Sequence, residues 1–333
     1  MSSLENVLEV SNVSKTYKVK NETVYANKNI TFCLKEREIL AVLGPNGAGK
    51  STLIKQIIGY ISTDSGNIKI KGTDISSNKK RMLSEIGYMM RSRFEHWDHL
   101  SIYDAIYYSA RLKKVDKEEI KKEIAYLAYE LDFEKELRKP IKYLSGGKKQ
   151  AAALACAVVG NPAILILDEP TTGLDPEKRY LFWKFLKKIQ NEKGISILLI
   201  THNVAEVEQI VDRVLIMGDG KILDEGTIPD LYERVQNEIR IELEMKEEAR
   251  RDEIIDVLKE FHCKEDKKDI YVYIDEDKLM DCVEFIFWNE KVKEDISNLK
   301  IIRPSLEDVY IKIMGKKICL LYTSDAADDR ISV

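Results

Sequence analysis

A glycine-rich loop near the start of the chain carries the residue types that phosphate binding requires. The loop consists of Gly44, Pro45, Asn46, Gly47, Ala48, Gly49, Lys50, Ser51 and Thr52. It satisfies the pattern G-x-x-x-x-G-K-[ST] in full, after an apolar run and before a helical pattern. Glycines let the backbone curl so that its amides face an anion, and Lys50 would contact the β- and γ-phosphates of a nucleotide. Ser51 would bind Mg²⁺ through its hydroxyl, and Thr52 would contact the α-phosphate side.

Two adjacent acids follow a second apolar run, ILILDEP, further along the chain. The run Ile164 to Leu167 has the pattern of a strand buried on both faces, and it ends in Asp168 and Glu169. An aspartate at such a place can hold Mg²⁺, and the adjacent glutamate can orient and deprotonate an attacking water. Taken alone, two acids at a strand end could equally be a solvated cap. Together with the glycine loop they predict a hydrolytic site.

The segment LSGGKKQ, Leu144 to Gln150, adds a second anion-binding feature. Ser145, Gly146 and Gly147 would lie at the N-terminus of a helix, with two glycine amides and a hydroxyl available as donors. Backbone donors and the positive helix end together favour an anion at that point. The segment therefore predicts a second contact with a phosphate.

These motifs, in this order, resemble those of the ATP-binding subunit of an ABC transporter, over roughly Leu8 to Leu231. The resemblance implies that two copies sandwich two ATP·Mg²⁺ head to tail, with the LSGG turn of one copy on the nucleotide of the other. Tyr17 is then similar to the aromatic that stacks on adenine, although an ordinary surface tyrosine is the alternative. Asp175 lies in TTGLDP, which resembles the loop that crosses the dimer interface, and His202 resembles the histidine that contacts the γ-phosphate.

The chain departs from that family pattern at two positions. The family usually carries Gln after the strand that follows the glycine-loop helix, where this chain has Arg91 or Ser92, depending on a one-residue gap. The metal ligand that the family pattern has at that point is therefore missing from this chain's motif. The residue after the LSGG turn, usually Gln, is Lys148. Lys148 either adds positive charge near the phosphate or is simply solvated, and we favour the solvated alternative.

Composition narrows the class of protein. Charged residues make up 33% of 333 residues with a net charge of −4, which gives no support for nucleic-acid binding. The longest apolar runs are shorter than a membrane span, and the first residues lack the pattern of a secretory signal. We therefore expect a soluble, cytoplasmic chain, held peripherally on the inner face of the cell membrane by a partner. Five scattered cysteines fit a reducing compartment better than a disulfide framework or a zinc site.

The predicted fold class is α/β. We expect a P-loop NTPase nucleotide-binding domain over 5–235, with an antiparallel β subdomain of short strands and a helical subdomain at about 92–160. Strands and helices that alternate from Ala163 to Ile228 predict parallel strands with helices on both faces. A small α+β domain is expected over 236–317, with helices over Glu247 to Phe261 and Lys278 to Trp288. Residues 318–333 break pattern and composition, and we interpret them as a non-native tail, with a genuine disordered tail as the alternative.

The end of the small domain, PSLEDVY, resembles that of single-domain ATPases of the type-two exporter branch, with a generic regulatory domain as the alternative. The sequence thus predicts a subunit that binds and hydrolyses ATP, with Mg²⁺, and drives a membrane exporter through a separate integral membrane permease. Its second partner would be another copy of itself. The alternatives are a weakly hydrolysing, nucleotide-dependent regulatory subunit and a soluble ATPase of the same family without a permease.

Overall fold

The computed structural model describes residues 5–19, 22–77, 84–90, 97–234, 238–246, 250–258, 261–266, 269–302 and 305–314. The chain divides into two compact units, Met1–Gly226 and Thr227–Val333. This division falls before residue 235, where the change in composition led us to place the boundary. The boundary lies earlier because the last helix of the second unit packs on the helix that begins at Ile228, and that helix therefore belongs to the second unit.

The first unit contains strands and helices in the following order: β1 (Asn6–Val19), β2 (Glu22–Lys35), β3 (Ile39–Leu43), α1 (Lys50–Ile57), β4 (Ser65–Ile70), β5 (Thr73–Asp74), β6 (Ile86–Met89), α2 (Ile102–Leu112), α3 (Lys117–Glu130), α4 (Gly146–Val158), β7 (Ile164–Asp168), α5 (Pro176–Lys193), β8 (Ser196–Thr201), α6 (Val204–Ile210), β9 (Arg213–Gly218) and β10 (Lys221–Gly226). Its strands form two sheets. One is a four-stranded sheet in the order β2-β1-β4-β5, and the other is a six-stranded sheet in the order β10-β9-β3-β8-β7-β6.

The four-stranded sheet is antiparallel throughout. The expectation of short strands was wrong for β1 and β2, which are 14 residues long each. Several irregularities in their register let a long pair continue past turn-forming residues such as Asn12, which has a φ of 52°. The turn signals in this part of the sequence therefore mark bulges within strands rather than their ends.

The six-stranded sheet carries the core of the unit. Strand β3 is buried along its whole length, as an apolar run in a parallel sheet requires. Strands β9, β3, β8, β7 and β6 are parallel neighbours, as predicted. Strand β10 is antiparallel to β9, which corrects the expectation for the end of the series. The physical reason is the dipeptide Asp219-Gly220, in which both residues have positive φ, and such a tight turn joins antiparallel strands.

A helical layer is inserted between β6 and β7. Helix α2 begins after Ser101, whose hydroxyl accepts a hydrogen bond from the amide of Asp104. Helix α3 begins after Asp116, which accepts one from the amide of Glu118. Both caps satisfy amides that have no partner within the helix. Helix α2 packs against α3 and α4, so this layer supports α4.

The second unit contains α7 (Ile228–Arg234), β11 (Glu238–Met245), α8 (Arg251–Val257), β12 (His262–Asp266), β13 (Asp269–Asp275), α9 (Leu279–Trp288), α10 (Glu290–Asp295), β14 (Ile296–Ile302) and α11 (Leu306–Met314). Its sheet is antiparallel in the order β12-β13-β11-β14, a split β-α-β arrangement. The helix expected over Glu247 to Phe261 is shorter, and β12 was not predicted. The sequence HCKED gives no apolar alternation that would predict a strand, although Cys263 packs against the core of this unit. Among the described residues of the chain, no helix is both long and apolar enough to cross a membrane.

Candidate functional site

The glycine loop joins β3 to α1 and is held closely by its neighbours. Gly49 has a φ of 98°, and a Cβ there would lie 2.1 Å from the carbonyl oxygen of Ala26 on β2. A Cβ on Gly44 would lie 2.5 Å from the carbonyl oxygen of Met217 on β9. Only glycine fits such close approaches of backbone to backbone. The glycines of the motif therefore fix the loop between two sheets, in addition to any role in binding.

Lys50, the first residue of α1, is buried, and its ammonium bonds to its own loop. Its Nζ donates to the carbonyl oxygens of Gly44 at 2.5 Å and Pro45 at 2.9 Å. Burial lowers the pKa of Lys50, and the charges of Glu169 and Asp168 act in the opposite direction. The structure thus brings the lysine of the glycine loop near the two acids of the DEP segment. A phosphate could replace the carbonyl oxygens as the acceptor for Nζ.

Glu169 and His202 come from neighbouring parallel strands and meet beyond their ends. The register pairs Asp168 with Ile200, and the amide of Glu169 donates to the carbonyl oxygen of Ile200 at 2.9 Å. The Nδ1 atom of His202 lies 2.7 Å from Oε1 of Glu169. Glu169 has a φ of 50°, an unfavourable backbone region for this residue type that often occurs at functional sites.

The carboxylate of Glu169 is thereby held in one orientation. Its side chain is 17% exposed, whereas that of His202 is 60% exposed. Thr172 Oγ1 lies 3.5 Å from its Oε2, at the outer limit of a hydrogen bond. A carboxylate of this kind can accept a proton from a water molecule.

Ser51 and Asp168 were predicted to hold Mg²⁺, and their chemistry fits that ion. A hydroxyl and a carboxylate are oxygen ligands, and Mg²⁺ in proteins commonly takes one or two carboxylates together with substrate phosphates. Burial raises the pKa of Tyr88 to about 12, and the negative charge of Asp168 adds to the effect. This places Asp168 beside β6 as well as near Lys50. Within the described residues, no cluster of three or more His, Cys, Asp or Glu side chains could hold a metal by itself.

The LSGG turn begins α4 as predicted. Ser145 is the N-cap, and its hydroxyl accepts a hydrogen bond from the amide of Lys148 at 3.4 Å. Lys148 itself is half-buried and forms an ion pair with Asp132 at 2.8 Å. The interpretation of Lys148 as simply solvated was therefore wrong. Its ammonium connects the first turn of α4 to the residues that follow α3.

The TTGLDP loop lies against the LSGG turn in the same chain. A Cβ on Gly147 would come within 2.6 Å of Lys178 Cδ and 3.7 Å of Leu174 Cδ2. Asp175 caps α5 by accepting a hydrogen bond from the amide of Lys178 at 2.9 Å. Gly173 has a φ of 79°, which suits the turn before that cap. Asp175, predicted for a dimer interface, therefore also orders its own helix.

Tyr17 lies on β1, partly exposed, opposite Val24 on β2. The preceding residues are fastened by Asp64, which sequence analysis missed. The carboxylate of Asp64 accepts hydrogen bonds from the amide and hydroxyl of Thr16 and from Lys15 Nζ. These bonds lower the pKa of Asp64 to about 2. The separation of Asp64 from Thr16 in sequence left no motif by which to find it.

Asn27 is a second residue that sequence analysis missed. It is fully buried behind the glycine loop, and its Nδ2 donates to the carbonyl oxygen of Gly49 at 3.2 Å. Two predictions fall outside the described residues. These are the Arg91 or Ser92 position, where the family usually has Gln, and the segment 318–333.

Comparison with known proteins identifies a family. Residues 27–172 match the family model described as "ABC transporter". The chain is 34% identical to the methionine import ATP-binding protein MetN of Coxiella burnetii, over 70% of this chain and 67% of that protein. It is 34% identical to the spermidine/putrescine import ATP-binding protein PotA of Mesoplasma florum, over 70% of this chain and 65% of that protein. It is 28% identical to the ABC-type organic anion transporter ABCA8A of Mus musculus, over 92% of this chain but only 19% of that protein.

Solved structures agree with this result. A structure described as the ATP-binding subunit of an ABC transporter has a TM-score of 0.63 and 28% identity, covering 69% of this chain and 93% of that one. A dimeric ATP-binding cassette, MJ0796, bound to ADP and Pi, has a TM-score of 0.61 and 26% identity, covering 66% of this chain and 98% of that one. The glycine loop, the DEP acids and the LSGG turn therefore belong to a fold known to hold nucleotide. The chain is a member of the ABC transporter ATP-binding proteins, and it is an ATPase.

Proposed function

We propose that this chain, as a head-to-tail dimer, binds ATP with Mg²⁺ and hydrolyses it to power transport through a separate integral membrane permease. The ATP-binding domain would span 5–235, and the chain would lie in the cytoplasm against the inner face of the membrane. The observation that carries this proposal is the Glu169–His202 pair, which lies beyond two parallel strands and near the buried lysine of the glycine loop. A positioned carboxylate, an anion-binding loop and a nearby cation are the parts that phosphoryl transfer to water requires.

Each part of the site would have a distinct role. Glu169 would accept the proton of the attacking water, and His202 would hold the γ-phosphate and orient Glu169. Lys50 would exchange its carbonyl acceptors for phosphate oxygens. Mg²⁺, held by Ser51 and Asp168, supplies charge neutralisation on the phosphates when it is bound. Positioning and charge stabilisation account for most of the rate.

Dimer formation would complete the site. Ser145, Gly146 and Gly147 would contact the nucleotide of the second copy, while Tyr17 would stack on the adenine of its own. A dimeric relative, MJ0796, supports this arrangement because it has the same fold. Ser145 caps α4 through one lone pair, which leaves its hydroxyl able to donate to a phosphate oxygen.

The substitution Glu169→Gln tests the central assignment. It preserves shape but removes the proton acceptor, so kcat should fall by about 10²–10⁴-fold while ATP binding and ATP-dependent dimerisation persist. Glu192→Gln, on an exposed residue at the far end of α5, is the control and should turn over ATP like the parent. Steady-state phosphate release and gel filtration with ATP measure the two effects. Unchanged turnover in Glu169→Gln would overturn the role of Glu169.

Export is the direction that we propose, on the strength of the second unit. The methionine and polyamine import proteins match over about 70% of this chain, and their names point to import. The organic anion transporter matches over 92% of it, which includes most of the second unit. The ending PSLEDVY adds its resemblance to the type-two exporter branch. Transport into inverted vesicles that contain this chain and its permease partner would test export, and ATP-driven efflux from such vesicles would refute it.

A weakly hydrolysing regulatory subunit is the second candidate function. The observation that favours it is the Arg91 or Ser92 position, where the family usually has Gln. Arginine carries positive charge and cannot bind Mg²⁺. ATP turnover by the assembled complex with its permease distinguishes the two candidates, because a regulatory subunit would bind ATP without turnover.

A further inference from the structure

A cavity of about 460 Å³ lies in the first unit, away from the glycine loop. It is lined by the end of α3 and the residues after it, the first turns of α4, and residues 178–188 of α5. Its volume is within the range of about 300–1,000 Å³ that small-molecule sites occupy. Gly147 and Leu174 in its wall belong to the proposed dimer contact, but no role proposed above uses the other lining residues. Its lining therefore calls for a separate explanation.

The floor of the cavity is apolar. It is formed by Leu131, Ala151, Leu174, Leu181, Phe182 and Phe185. Phe182 and Phe185 are almost fully buried, so the floor is a continuation of the core. Leu181, in contrast, is 52% exposed at the edge. An apolar floor that opens at an exposed leucine suits the hydrocarbon part of a ligand.

The rim of the cavity is positively charged. It carries Lys148, Lys178, Lys184 and Lys188 against the acids Glu130 and Asp132. Both acids already have partners, since Lys148 pairs with Asp132 at 2.8 Å and Lys188 pairs with Glu130 at 2.6 Å. Within the described residues, Lys184 forms no ion pair. The rim thus offers an unmatched cation directly beside an apolar floor.

We propose that this cavity binds a small amphipathic anion, namely a carboxylate on an acyl chain. The chain would lie on the phenylalanine and leucine side chains, and the carboxylate would pair with Lys184. Lys148, Lys178 and Lys188 already have acidic partners. A cation of the same length would therefore find no free acid on the rim and would be repelled by Lys184. A small hydrophilic anion would leave the apolar floor in contact with water, so it would bind only weakly.

Binding there would also affect ATP turnover, a consequence that rests on the proposed function. The cavity wall includes Gly147 and Leu174, which belong to the LSGG turn and the TTGLDP loop. Gly147 already lies close to Lys178 and Leu174, so a ligand that displaces either side chain changes the packing of the turn. The turn is the part that we propose to contact the nucleotide of the second copy. A ligand in the cavity therefore alters the rate of hydrolysis.

Calorimetric titration of the full chain without nucleotide tests the site independently of hydrolysis. Decanoate, below its micelle concentration, should bind at one site per chain, and about tenfold or more tighter than decylammonium. Acetate, which carries the headgroup alone, should give no measurable heat. Absence of decanoate binding, or equal binding of decylammonium, would overturn the proposal. A dimer that forms without nucleotide and blocks decanoate would also overturn it, because a second copy would then be the occupant.

Two variants locate the site. Lys184→Glu reverses the charge of the unpaired rim cation, and Leu181→Glu adds a negative charge at the exposed edge of the floor. Each should weaken decanoate binding by about tenfold or more while the melting temperature stays near that of the parent. Lys122→Glu, an exposed residue on α3 outside this cavity, is the matched control and should bind decanoate normally. If all three variants lost decanoate affinity to the same extent, the change in net charge would account for the loss, and the site would be refuted.

A second measurement addresses turnover. With ATP at saturation, decanoate should change kcat of the parent and of Lys122→Glu but not of Leu181→Glu. Binding without any change in kcat would refute the coupling and leave the site in place. No turnover in any sample, with decanoate still bound, would instead refute the proposed ATPase activity of the isolated chain.

Discussion

Alanine at Gly146 should separate the function of the LSGG turn from its stability. Gly146 is the first residue of α4, and a Cβ built there meets nothing within 4 Å. Alanine is also the better helix former, by up to about 1 kcal/mol. Within one copy, Gly146→Ala should therefore leave the free energy of unfolding unchanged or raise it by that amount. In the monomer the space around this Cβ is empty. In the nucleotide-bound dimer, on our proposal, the nucleotide of the second copy fills it.

The expected effect on turnover is large. A methyl group at this position would hold the second copy's γ-phosphate away from the glycine amides. Loss of one such donor typically lowers kcat by about 10²–10³-fold. Steady-state ATP hydrolysis and thermal unfolding of the same preparation measure both quantities. An unchanged kcat with an unchanged melting temperature would refute the contact between the LSGG turn and a phosphate.

Two comparison variants make the result specific. Ser145→Ala removes a helix cap whose hydrogen bond is long, at 3.4 Å, so stability should fall by about 0.5–1 kcal/mol together with kcat. Gly194→Ala changes the C-cap of α5, where φ is 68°. A non-glycine residue in that region costs about 1–2 kcal/mol, so stability should fall while kcat is kept. The three variants together show whether a loss of kcat comes from a change in the LSGG turn or from a loss of stability.

Three further predictions concern charged side chains. Arg213→Ala should lower the free energy of unfolding by about 3–5 kcal/mol in denaturant titration, because Glu38, 8% exposed, would lose its buried partner. The depressed pKa of Asp64, about 2, means that its stabilising contribution is present above the ordinary pKa of about 3.8 and is lost as pH falls through about 2. Asp64→Asn should therefore flatten the acid limb of the stability curve and raise KM for ATP through Tyr17. Lys148→Gln breaks an ion pair whose acidic partner, Asp132, is almost fully exposed, so it should change stability by less than about 1 kcal/mol, with kcat retained.

The proximity of the proposed reacting groups could be predicted from sequence because each lies in a short motif at the end of a strand. Asp168 is the last residue of β7, Glu169 follows it, and His202 follows β8, so parallel pairing alone brings them to one edge of the sheet. The rule that active residues of parallel sheets lie at the carboxyl ends of strands then predicts their proximity. The positive φ of Glu169 and the exposure of His202 were not predictable, since both depend on how the segments leave the sheet.

The residues that position these groups could not be found in the same way. Asp64 holds the strand that carries Tyr17, and Asn27 supports Gly49, each through a hydrogen bond to backbone far away in sequence. A bond to backbone, whether the backbone donates as at Thr16 or accepts as at Gly49, places no demand on the type of residue that supplies the backbone group, so no pairing of residue types reveals it. Lys148 shows the same limit, because its partner Asp132 lies in a loop whose path the helical pattern does not define. Short motifs therefore point to the groups that we propose for the chemistry, whereas the residues that position them depend on contacts within the antiparallel sheet and the helical layer. A substitution at Asp64 or Asn27 should accordingly alter KM and stability before it alters the chemical step.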